Sequence, residues 1–131
     1  VTDRVSQIVG RNEVLAVGAR SAGPVASLLP ELKGVCEESD TEFVKVGSGD
    51  FAGMCGLFFD AVSGKALRHR NDPRVDAALT AARAHQVLDA WSWERTKVDV
   101  DAAPLVAATG AFALHAQRSR VVEVDPLQNI W

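Results

Sequence analysis

Apolar positions along this chain follow two rhythms, one helical and one of short compact runs, and together they predict alternating helices and strands. Residues 2–9 place Val5, Ile8 and Val9 on one side of a short amphipathic helix. Val14 to Val17 is a compact apolar run of the kind a buried strand carries. Ser21-Ala22-Gly23-Pro24 reads as a turn, and residues 25–32 as a helix that Pro30 kinks or divides and Gly34 closes. The polar, acidic residues 36–41 predict a loop. Residues 43–46 predict the next strand, broken by Gly47-Ser48-Gly49. A helix over residues 51–62 follows, capped by Ser48 or Asp50, with Phe51, Met54, Leu57, Phe58 and Val62 as core candidates. Gly64 ends it. Residues 65–70 read as a short edge strand, Asn71-Asp72-Pro73 as a turn and cap, and residues 73–84 as a helix with Val75, Leu79 and Ala82 on one face. Residues 87–93 alternate as a single strand with Trp91 and Trp93 on the same side. Asp101 and Pro104 mark the start of an Ala-rich apolar helix ending near Gln117. Residues 118–124 are expected as a final strand or an extended tail, and 126–131 as irregular chain that holds Trp131 at the surface.

The pattern implies an α/β domain with a central sheet and helices on both faces. At 131 residues, 47% hydrophobic and 24% charged, the chain is sized for one domain, 1–131, with a real core. No apolar run is long enough to cross a bilayer, and no signal-peptide pattern is present. The chain opens on Val1, as expected of a piece of something longer. Its net charge of −3 argues against a dedicated DNA-binding module, yet allows an enzyme with a local basic groove. Cys36 and Cys55 lack metal-ligand spacing and are expected to be reduced thiols, with Cys55 buried on a helix.

Candidate chemistry gathers at a few places, each with two readings. Asp101, with Asp99 two residues before it, is either a helix cap or a ligand for a hard divalent cation. Lys65, Arg68, His69 and Arg70 form the densest positive cluster. They either guard an exposed strand edge against self-pairing or contact DNA phosphates. Gly-Ser-Gly at 47–49 lacks the lysine and spacing of a phosphate-binding loop. The two indoles either pack on apolar neighbours or stack on bases.

Asp89-Ala-Trp-Ser-Trp-Glu-Arg95, followed by Val100-Asp-x-x-Pro-Leu-Val-Ala-Ala-Thr109, resembles the C-terminal end of the large terminase subunit of tailed bacteriophages, in its HK97-like, actinobacteriophage-type branch. Residues 21–32, the run Leu67 to Arg70 with Asp72-Pro73 and Asp76-Ala77-Ala78, and the closing Trp131 agree with it in order. The resemblance implies a ribonuclease H-like three-layer nuclease domain, incomplete at its N-terminus. Such domains cut concatemeric DNA during genome packaging with Mg²⁺ or Mn²⁺ held by acidic residues. It implies Asp101, with Asp99, as catalytic and metal-binding, and Lys65, Arg68, His69, Arg70, Arg95 and Lys97 as DNA-binding. The implied partners are double-stranded DNA, the terminase ATPase domain, the small terminase subunit and the portal, in the host cytoplasm and with no membrane. Of the three acids that the family uses, only Asp101 has a counterpart here. The second belongs among Gly18, Ala19, Arg20 and Ser21, and the first upstream of Val1. The alternatives are an inactive prophage remnant or a DNA- or protein-binding module that keeps the fold. A weaker third is an unrelated α/β domain with a small ligand at the carboxyl ends of its strands.

Overall fold

The structure, a computed structural model, describes residues 1–87, 89–95 and 99–123. Helices and short strands alternate through it, so the chain is α/β. It divides into two compact units, one of Val1–Ser48 with the chain from Leu114 onward, the other Gly49–Ala113.

In the first unit, helix α1 (Thr2–Arg11) leads to strand β1 (Ala16–Arg20), a 3-10 turn (Pro24–Leu28), helix α2 (Leu29–Glu38) and strand β2 (Glu42–Val46). β1 and β2 pair in parallel from Ala16↔Glu42 to Arg20↔Val46, with α2 in the connection. That is the βαβ arrangement a parallel pair requires. Val9, Leu32, Cys36, Val46 and Leu114 are the buried apolar side chains among the described residues of this unit. Two expectations change here. Pro30 falls in the first turn of α2, where its missing N–H costs nothing, so it starts the helix instead of kinking it. The helix then runs through Gly34 and Cys36, and the expected loop at 36–41 shrinks to the turn after Glu38. There Asp40 takes a left-handed backbone, φ 51°. The amides of Thr41 and Asp40 bond back to the Cys36 and Glu37 carbonyls at 2.8 and 3.3 Å, a Schellman ending without glycine.

The C-terminal part of helix α5 (Ala103–Glu123) belongs to this unit from Leu114 onward. A Cβ added to Gly18 would meet Leu114 Cδ1 at 2.5 Å, so glycine lets the helix side chain reach the strand backbone. One turn on, Arg118 grips both carboxylate oxygens of Glu42, Nη2–Oε1 at 2.6 Å and Nε–Oε2 at 3.0 Å. Its Nη1 also donates to the Leu114 carbonyl at 3.2 Å. The Arg118 hydrogen bonds hold the Glu42 carboxyl below its ordinary pKa. These contacts explain why the chain at Arg118 is helical, where a strand or extended tail was expected.

The second unit begins in α3 (Ser48–Ser63) and continues through α4 (Pro73–Thr80), β3 (Ala84–Val87), β4 (Ala90–Trp93) and the start of α5. In α3, Phe51, Met54, Cys55 and Phe58 recur at helical spacing and are buried. Phe58, Ala78 and Leu105 form the centre of a core, with Leu67, Leu79, Ala82, Trp93, Ala108 and Phe112 packed against it. Asp72 caps α4 as expected, accepting the Arg74 amide at 2.8 Å. α4 is shorter than its pattern suggests: it stops at Thr80, and residues from Ala84 enter a strand. The expected single strand at 87–93 is a hairpin, in which β3 and β4 pair antiparallel with Gln86 opposite Trp91 and Ala84 opposite Trp93. Thus the described strands form two separate two-stranded sheets where one central sheet was expected.

Candidate functional site

Asp101 stands at the start of α5, and its Oδ1 accepts the Ala103 amide at 2.9 Å. The capping reading is therefore realised, with Pro104 in the first turn beside it. Asp101 and Asp99 are both exposed. Among the described residues no group of three or more His, Cys, Asp or Glu side chains is arranged to hold a metal ion. The described residues do not by themselves make the clustered carboxylate set that two-metal phosphodiester cleavage needs. Across Gly18 to Ser21, where the family's second acid belongs, β1 ends in Ala19 and Arg20 and no carboxylate occurs.

The basic segment is exposed but is not a strand. α3 ends at Ser63, and Lys65 takes a left-handed backbone, φ 56°. Its amide and that of Ala66 bond to the carbonyls of Val62 and Ala61 at 3.1 and 2.8 Å, the same Schellman geometry as in the first unit. Residues 66–72 then run without regular structure, and no described strand pairs with them. Leu67 is half-buried and packs against the core of Phe58, Ala78 and Leu105. Arg68, His69 and Arg70 are exposed around that anchor. His69 Nδ1 accepts the Asn71 amide at 3.1 Å, where Asn71 turns the chain with φ 58°. With Nδ1 accepting, a neutral His69 carries its proton on Nε2. The neighbouring Arg74 is not an available cation. Its guanidinium holds both oxygens of Asp72, at 3.1 and 2.7 Å. These hydrogen bonds push the Asp72 carboxyl down to about 2.

Lys65, Arg68, His69 and Arg70 thus share one anchored segment, and Leu67 ties it to the core that contains Leu105, within the first turns of α5 beyond Asp101. Arg95 is exposed just after β4, its amide bonded to Glu94 Oε1 at 3.1 Å. Lys97 and Trp131 lie outside the described residues.

The sequence pattern did not reveal the aromatic arrangement on the hairpin. Phe59 meets Trp91 edge-on with ring centroids 5.9 Å apart. Trp91 meets Trp93 at 4.9 Å, Trp93 meets Phe58 at 6.4 Å, and Phe58 meets Phe112 at 6.2 Å. Trp93 Nε1 donates to Thr109 Oγ1 at 3.0 Å, and the fully buried Thr109 hydroxyl donates to the Leu105 carbonyl at 2.7 Å. A polar residue in an apolar helix was the available signal, since a buried hydroxyl demands a partner.

Compared with known proteins, the chain matches no family model, no curated protein and no solved structure.

Proposed function

We propose that this chain is the C-terminal part of a ribonuclease H-like nuclease domain of the terminase large-subunit kind, and that taken alone it binds double-stranded DNA without cutting it. The observation that carries the binding half is the exposed segment with Lys65, Arg68, His69 and Arg70, which contains no acid and is pinned by Leu67. The family half rests on the sequence resemblance. Asp101 is the carboxylate this chain brings to a metal site, and the remaining acids must come from outside it. The use of Asp101 as a helix cap, with Arg20 where an acid belongs, supports the reading without cleavage and fits a remnant equally. In an intact packaging enzyme the ATPase domain, small subunit and portal are the partners this reading brings with it.

Binding to duplex DNA measured against salt tests the proposal. Removing one cation that neutralises a phosphate flattens the slope of log K against log salt by about 0.9, so Arg68→Ala with Arg70→Ala is expected to reduce it by about 2. An unchanged slope removes this segment from the interface. Plasmid cleavage with Mn²⁺ that disappears in Asp101→Asn overturns the view that the chain alone does not cut.

A further inference from the structure

The aromatic ladder of the second unit is locked at one end and open at the other. At the inner end Phe58 is 3% exposed and Trp93 is held by its hydrogen bond to Thr109. At the outer end Phe59 is 54% exposed, although its α3 companions Phe51 and Phe58 are buried. Phe59 and Trp91 meet at 87°, an edge-to-face contact that covers less ring face than an offset stack would. Val62, one turn along α3, is also exposed at 46% and extends the same side of the helix. α3 runs four residues past Phe59, about 6 Å of axis at about 1.5 Å per residue, before the chain turns at Lys65, and Arg68, His69 and Arg70 come next. No acidic residue occurs between Asp60 and Asp72.

We propose that Phe59, backed by Trp91, is a stacking platform for an unpaired base of single-stranded nucleic acid, whose phosphates are drawn by the basic segment that leaves α3. Aromatic side chains beside a cationic track are the recurring means of holding single strands, because every base offers a π-face and every nucleotide a charge. Charge complementarity selects this occupant over an apolar protein surface: beyond Asp60, which follows the exposed Phe59 ring, the chain carries four basic side chains and no carboxylate before Asp72. The rigid backing matters as well. A ring braced through Trp91 and Trp93 to a buried hydroxyl loses little freedom when a base settles on it. This inference rests on the proposed DNA-handling role and adds the strand state that the site prefers.

The test uses the full chain with end-labelled oligothymidylate, and a labelled duplex of the same length in parallel. Oligothymidylate is expected to quench tryptophan emission and to bind more tightly than duplex. Phe59→Leu keeps the bulk and removes the π-face, and is expected to weaken oligothymidylate binding about tenfold with duplex binding unchanged. Phe59→Trp is expected to restore it. Circular dichroism confirms that each variant is folded, which exposure at position 59 favours. Equal binding of single strand and duplex, or a Phe59→Leu variant indistinguishable from the parent, overturns the platform and leaves the duplex-binding role standing. Failure to bind either nucleic acid overturns both. Self-association abolished by Phe59→Leu also overturns it, by assigning the face to a second copy of the chain.

Discussion

At the scale of single residues, the two acids that start helices separate by chemistry. Asp101 gives one oxygen to the Ala103 amide, a role asparagine fills equally well. Asp101→Asn should therefore melt with the parent protein, whereas Asp101→Ala should lose about 1 kcal/mol of stability. Thermal unfolding of the two variants checks this. If asparagine costs as much as alanine, the charge matters and not the hydrogen bond. Asp72 differs because Arg74 holds its carboxyl down at about 2. A depressed folded pKa stabilises above the ordinary carboxylate range and is lost as pH falls through the folded value. The chain should therefore lose this contribution between about pH 4 and 2, and Asp72→Asn should flatten that acid limb in melts taken across pH. The effect will be small and weakened by salt, since Arg74 is 81% exposed. Cys36 takes no part in such chemistry. It is wholly buried, and burial pushes its thiol up, away from the reactive thiolate.

At the scale of elements, the local rules and the packing disagree in instructive places. The starts of α4 and α5 were legible, because Asp72-Pro73 and Asp101 with Pro104 carry their own hydrogen-bond acceptors and backbone restraints, whereas α3 begins at Ser48 and takes in both Ser48 and Asp50, the residues expected to cap it. The end of α3 was legible at Gly64, but the left-handed position is Lys65, one residue on. A non-glycine side chain there is strained, so Lys65→Gly should raise stability by up to about 1 kcal/mol in chemical denaturation, while removing one cation from the basic segment. The hairpin was not legible. Residues 87–93 alternate cleanly, and nothing in that alternation reveals that Ala84 to Val87 pairs back on them. The pairing depends on α4 stopping at Thr80, whose hydroxyl bonds to the Asp76 carbonyl at 2.9 Å. α2 was underestimated because Pro30 reads as a breaker until its place in the first turn is known. Helix against strand gives a further prediction. Gly18→Ala forces Leu114 to move and should cost about 1 kcal/mol. Combined with Leu114→Ala it should cost less than the sum of the two, and a double-mutant cycle measures that coupling.

At the scale of the whole molecule, the alternation of helices and strands was legible as α/β, because the spacing of apolar side chains decides it. How the strands partner was not, since pairing joins residues far apart in sequence. The candidate site divides in the same way. Its charges and its Asp101 cap can be picked out from neighbours in the chain. The ladder from Phe59 to Phe112 needs the hairpin, α3 and α5 folded together before it exists. Among the described residues no helix is long and apolar enough to cross a membrane.

The nearly perpendicular approach of Trp91 and Trp93, 4.9 Å between centroids at 78°, has an optical consequence. Two indole transitions so close and so skewed share their excitation, and the shared state splits into a pair of circular-dichroism bands of opposite sign. That couplet is a label the molecule already carries. Followed through a titration with denaturant, it marks the moment the hairpin lets go, without dye or tag.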